Sequence, residues 1–160
     1  MRERAALGLK QLYSHKTVDP SRLGAIGFCF GGGVITQMAY DGQPLNAVVP
    51  FHGSWPAPLE GDDLSEFSGR LLICHGSQDK ILDNPEFDTF GQTLDDAGWD
   101  WQLMLYGGAV HTFTNPAAGS DPATGVAYDE DAAARSWNLM RLFFQDVFSG
   151  DEMAMIQPPE

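Results

Sequence analysis

Apolar residues gather into four short runs, at 22–28, 46–51, 70–75 and 100–106, each bounded by glycine, proline or charged residues. Continuous apolar runs of this length predict strands buried on both faces, the pattern of a parallel sheet. Between the runs the apolar positions recur with helical spacing. Ala5, Leu9, Leu12 and Tyr13 share one face of a helix over 3–14, which Val18-Asp19-Pro20-Ser21 breaks. A second helix is predicted from Gly32 to Tyr40, ended by Asp41-Gly42. A third carries Pro85 in its first turn and runs to about Ala97, and a fourth closes the chain over 129–148. Pro50 predicts an early end to the second strand. Residues 52–69, 76–83 and 107–128 read as loops, and 151–160 as a disordered tail. Strands alternating with helices predict an α/β domain over residues 1–150, in three layers, with helices on both faces of a parallel sheet.

Composition narrows the function classes. Nine Lys/Arg against twenty-two Asp/Glu give a net charge of −13. The sign is uneven: residues 1–22 hold five basic and two acidic residues, leaving four against twenty in the remainder. So acidic a surface repels nucleic acid and anionic membranes. No apolar run approaches the ~18 residues of a membrane span, and the N-terminus lacks a signal-peptide core. Two cysteines make no disulfide framework, and a reducing cytoplasm is expected. Nothing fits a cofactor. Cys29 occupies the second glycine's place in G-x-G-x-x-G, no Lys-Ser/Thr follows Gly33, and no ligand cluster has zinc spacing.

Parallel sheets bind ligands beyond the carboxyl ends of their strands. Three chemically able residues fall there: Cys29 past the first run, Asp79 past the third and His111 past the fourth. Gly27-Phe28-Cys29-Phe30-Gly31 reads as a strand turning sharply into a helix, with the thiol at the apex between two glycines that let strand and helix approach. A cysteine at a strand end is most often a small buried hydrophobe; the glycine bracket favours a nucleophile. A helix N-terminus beside a thiol favours its thiolate. His111 can take and return the proton, and Asp79 can fix the imidazole tautomer, with Asp83 on the same loop as its competitor. The Phe30 amide can donate to a developing oxyanion. His52 and His75 also end strands and are expected to satisfy loop backbone groups. Cys74 reads as core, and Trp99, Trp101, Trp137, Phe143 and Phe144 as packing.

Three motifs, Gly27-Phe28-Cys29-Phe30-Gly31-Gly32, His75-Gly76-Ser77-Gln78-Asp79 and Tyr106-Gly107-Gly108-Ala109-Val110-His111-Thr112-Phe113, resemble those of the dienelactone hydrolase family, a cysteine branch of the α/β-hydrolases. Tyr128-Asp129 and Arg135-Ser136-Trp137 resemble its C-terminal end. The resemblance runs from about residue 3 to 148. It implies Cys29, Asp79 and His111 as a catalytic triad, and hydrolysis of a lactone or ester. It also implies strands ahead of the nucleophile strand, which this chain lacks. In the family they supply a second oxyanion amide and a Glu that engages the resting thiol, so turnover by this chain alone is expected to be impaired. Dienelactone-cleaving members hold the substrate carboxylate with an Arg shortly after the histidine. Thr112-Phe113-Thr114-Asn115-Pro116 has none, which counts against a dienelactone as substrate.

The leading expectation is a thiol-dependent hydrolase of a small carboxylic ester or lactone, working through an acyl-enzyme on Cys29. The alternatives are a non-catalytic, truncated hydrolase-like module for binding or assembly, and a redox-sensing thiol. Without preceding strands the nucleophile strand becomes an open edge, which predicts a homodimer paired along residues 23–28.

Overall fold

The structure, a computed structural model, describes residues 1–80 and 84–149. Asp83 and the expected tail at 151–160 lie outside the described residues. The elements follow in the order α1 (Arg2–Tyr13), β1 (Gly24–Phe28), α2 (Phe30–Tyr40), β2 (Ala47–Phe51), β3 (Arg70–Gly76), α3 (Asn84–Asp96), β4 (Asp100–Tyr106) and α4 (Glu130–Ser149). The four strands form one parallel sheet in the order β1-β2-β3-β4.

Alternation along the central strands sends side chains to two cores. Val48, Leu71 and Ile73 pack with Ile35, Met38 and Tyr40 of α2, Phe90 and Leu94 of α3, and Leu9 of α1. Ala47, Val49, Phe51, Leu72 and Cys74 pack on the other face against Ala132, Met140 and Phe143 of α4. α4 buries Ala132, Ser136, Met140 and Phe143, a single stripe at helical spacing. Its start is fixed by Asp129, whose carboxylate accepts the Ala132 amide at 2.9 Å. The three-layer α/β fold and the reading of Cys74 as core are as the sequence predicts; among the aromatic residues, Phe143 is buried, whereas Trp137 stays half exposed.

Three local expectations are corrected. The first strand is not buried on both faces: it lies at the sheet edge, and Gly24, Ile26 and Phe28 are exposed. Its apolar run mimics a central strand because Ala25 and Gly27 are turned inward, whereas Gly24, Ile26 and Phe28 share the opposite face, which is left uncovered. The second helix begins at Phe30, directly after Cys29, two residues before the predicted start. β2 does not stop short of Pro50 but runs through it to Phe51. Phe51 O accepts from the Cys29 amide, while the His52 amide donates to Cys74 O. That alternation turns Pro50's missing N–H toward β3, and the β2–β3 ladder pairs at Ala47, Val48 and Phe51. The loops also hold short 3₁₀ turns at Leu64–Glu66, Pro116–Ala118 and Pro122–Thr124.

Candidate active site

The elbow depends on a close approach of backbones. A Cβ on Gly27 would stand 2.3 Å from Gly31 O, and one on Gly32 would stand 2.8 Å from Gly53 Cα. Gly31, the second glycine of the predicted bracket, has open space where its Cβ would be. The pair that needs to be small is therefore Gly27 and Gly32. Gly27 lets the strand meet the first turn of α2, and Gly32 lets α2 meet the chain leaving β2. At the apex Cys29 takes φ 50° and ψ −120°, a conformation that side chains other than glycine rarely adopt. The Gly32 and Gly33 amides fold back onto Cys29 O at 2.9 and 3.4 Å. The Phe30 amide, in the same turn, has no backbone acceptor among the described residues.

Cys29, Asp79 and His111 come together. His111 Nε2 lies 3.2 Å from Cys29 Sγ, and His111 Nδ1 lies 2.8 Å from Asp79 Oδ2. The thiol is exposed, whereas Asp79 and His111 are buried. Two loops carry this register. The Gln78 amide donates to Ala109 O at 2.9 Å and the Gly108 amide to Ser77 Oγ at 3.0 Å, stitching the Asp79 turn to the loop that bears His111. Gly76 permits the stitch, since a Cβ there would meet Ala109 O at 2.5 Å. His111 is pinned from its other side by a bridge to Val126.

The electrostatics separate the three buried imidazoles. The Asp79 hydrogen bond raises the pKa of His111 above its ordinary value, against the cost of burial. His52 and His75 are pushed down to about 4, chiefly by burial. Burial also pushes the Cys74 thiol up to about 12. A thiol, an imidazole and a carboxylate in one hydrogen-bonded line can move a proton off sulfur and leave the resulting imidazolium facing a carboxylate.

Two histidines depart from, or exceed, the sequence reading. His75 serves no loop backbone group among the described residues. Its ring lies against Trp55 at 4.5 Å between centroids, Nε2 is 3.4 Å from Asp79 Oδ2, and Nδ1 has no hydrogen-bond partner among the described residues. His52 does accept a backbone amide, and that amide is the one of Cys29, at 3.2 Å. Position alone could have flagged it: it follows β2 as Cys29 follows β1, on the same rim. An apolar cleft of about 310 Å³ opens beside the elbow, lined among others by Phe30, Val34, Ser54, Pro56 and Leu59. A larger groove of about 600 Å³ lies along α1, between Leu7, Tyr13 and Pro44, away from the thiol. Among the described residues no cluster of His, Cys, Asp or Glu could hold a metal ion, and no helix is long and apolar enough to cross a membrane.

The model of the dienelactone hydrolase family matches residues 2–148. The chain belongs to that family. Among family relatives, an uncharacterized protein of Caenorhabditis elegans is 32% identical over 93% of this chain and 95% of its own length. A Saccharolobus solfataricus protein provisionally named carboxymethylenebutenolidase is 29% identical over 77% of this chain, but only 44% of its own length is covered. Of solved structures, the dienelactone hydrolase-like promiscuous phosphotriesterase P91 from metagenomic libraries is 38% identical with a TM-score of 0.84, over 91% of this chain and 61% of that one. A structure named m3DLH is 39% identical with a TM-score of 0.86, over 92% and 61%. The chain thus spans nearly all of the nematode relative, about half of the Saccharolobus one, and about three fifths of the two solved relatives. The family's α/β-hydrolase fold is the one observed here, represented by four parallel strands and their helices.

Proposed function

We propose that this chain carries the reacting groups of a thiol-dependent hydrolase of small carboxylic esters or lactones. The observation that carries the reading is the line Cys29 Sγ, His111, Asp79, with separations of 3.2 and 2.8 Å. His111 Nε2 takes the thiol proton while Nδ1–H donates to the Asp79 carboxylate. The thiolate adds to the carbonyl carbon, and the carbonyl oxygen becomes an oxyanion that the Phe30 amide can meet. One such donor is worth ~3 kcal/mol in the transition state. Collapse breaks the C–O bond, the leaving oxygen takes the proton from His111, and a thioester remains on Cys29. Water, losing a proton to His111, then adds to the thioester. Collapse releases the acid and returns the proton to sulfur. For a lactone the leaving oxygen stays on the acyl group, and one hydroxy acid is released. The cleft lined by Phe30, the residue that follows Cys29, offers a seat for an apolar part of the substrate.

The test is turnover of a small activated ester such as p-nitrophenyl acetate, with Cys29→Ala as the variant. The expected result is a burst of nitrophenol from acylation in the parent and none in the variant. A variant that retains the parent's turnover would remove Cys29 from the reaction.

A further inference from the structure

His52 sits between the two groups that the proposed reaction uses. It follows β2 directly, and its backbone takes φ 38°, in the left-handed region that Cys29 (φ 50°) and Thr112 (φ 64°) also occupy. Three strained residues other than glycine thus crowd one rim, two beside the thiol and one beside the imidazole. His52 is 2% exposed. Its Nδ1 accepts the Cys29 N–H at 3.2 Å, a hydrogen shared with Phe51 O at 3.0 Å. Its Nε2 lies 2.8 Å from Thr114 Oγ1. Its ring meets the His111 ring edge-on, with centroids 5.1 Å apart, and the Phe113 ring likewise at 5.3 Å.

These contacts admit one protonation state. The Cys29 amide can only donate, so Nδ1 must carry a lone pair and the single proton belongs on Nε2, where it donates to Thr114 Oγ1. We propose that His52, held in this tautomer by Thr114, is a positioning residue that sets the Cys29 backbone and the His111 ring in register. The proposal rests on the hydrolase reading for its consequence in turnover, although the geometry it assigns exists without substrate. A second proton on His52 would oppose one N–H to another at Cys29. The groups around the ring weigh on that proton from several elements. The His111 and His75 imidazoles oppose it, the Asp79 carboxylate favours it, and burial outweighs them all, leaving His52 neutral down to about pH 4. The brace is therefore in place throughout the range in which a thiol and an imidazole exchange a proton near neutrality.

His52→Leu fills much of the space without an acceptor. His52→Asn places an oxygen where Nδ1 stands and tolerates the left-handed backbone. Displacing the thiol by about 1 Å is enough to cost on the order of 100-fold in rate. The expected result for His52→Leu is a loss of that order in kcat with KM little changed, and slower alkylation of Cys29 by iodoacetamide at pH 7. His52→Asn recovers most of both. If His52→Leu keeps parent values of kcat and alkylation, the proposal is overturned. It is also overturned if both variants lose activity only in step with a lowered Tm, since that is what a packing role gives. Alkylation needs no ester. If the parent alkylates with a rate that depends on residue 52 yet hydrolyses nothing, His52 keeps its role and the hydrolase reading falls. If Cys29→Ala abolishes hydrolysis while residue 52 is indifferent, the reverse holds. Should His52→Leu not fold, Thr114→Val removes the tautomer lock from outside the ring; an intermediate loss in kcat and alkylation supports the proposal, and no loss overturns it.

Discussion

Cys29 Sγ and His111 Nε2 stand 3.2 Å apart although 82 residues separate them in the chain. Two chain connections create that meeting: the elbow throws Cys29 out past β1, and the loop after β4 brings His111 back over the sheet edge. Asp79 completes the line from the turn after β3, behind the ring. The Asp79 and His111 links are held in part by backbone contacts, among them the Gln78 amide on Ala109 O and the His111 amide on Gly125 O.

Asp79→Asn keeps the shape but removes the charge and lets the imidazole take the wrong tautomer. In serine hydrolases built on the same logic such a change costs about 10⁴-fold in kcat. A loss of 10³- to 10⁴-fold, ~4–5 kcal/mol, is expected here in ester turnover measured at pH 7. A loss smaller than tenfold would show that the carboxylate does not orient the ring.

The two elbow glycines should respond in opposite senses. Gly27→Ala drives a methyl against Gly31 O at 2.3 Å, a contact with backbone that cannot swing aside. A destabilisation of about 3 kcal/mol or more is expected in urea unfolding. Gly31→Ala meets nothing within 4 Å and sits in the first turn of α2. It should leave stability unchanged or raise it by up to ~1 kcal/mol. Equal loss in both variants would show that the approach of Gly27 to Gly31 O does not set the stability of the elbow.

Acid should weaken the fold through His52 and His75. Their pKa falls from an ordinary 6.5 to about 4 on folding, so between those values the unfolded chain holds more protons than the folded one. Stability is then lost as pH drops through that interval. His111 acts in the opposite sense: its folded pKa is raised, so its contribution is full below about 6.5 and is lost as pH climbs through the folded value. At pH 5 His111 is protonated in both states and silent, which leaves about two protons taken up on unfolding. The urea midpoint followed from pH 7 to 4 checks this, and His52→Asn should remove one of the two. A midpoint that holds constant to pH 4 would contradict the assigned burial.

Among the described residues β1 offers an unpaired edge, with Ile26 and Phe28 each 41% exposed and Phe30 64% exposed beside it. We propose that two copies pair along this edge, since a two-fold axis lets one strand meet its own image antiparallel. Solution scattering should report twice the chain mass, and Ile26→Lys should return the single-chain value. A monodisperse single chain at high concentration would rule out the pairing.

Much of this architecture is legible in the sequence. Apolar runs located all four strands, and the glycines around Cys29 located the turn. What a linear reading could not supply was lateral context. Ala25 and Gly27 are turned inward just as central-strand residues are, and nothing local shows that β1 has a neighbour on one side only. Gly31 mirrors Gly27 across Cys29 and so looks like the spacer in a linear reading. The actual spacer, Gly32, is identified by Gly53, a residue from another connection. His52 stayed in the background for a similar reason: its partners are an amide 23 residues earlier and a hydroxyl 62 residues later. The turns at Asn115-Pro116 and Asp121-Pro122 carry a local signal in the sequence. In both, the side-chain oxygen caps the amide two residues on.

The long span between thiol and imidazole also orders events during synthesis. Cys29 leaves the ribosome well before His111, and until the last strand and the loop after it have docked, the sulfur has no base beside it. On the hydrolase reading proposed above, a growing chain would then be inert toward esters. On that same reading, reactivity of the sulfur would report the docking of the loop that bears His111, a contact made across 82 residues.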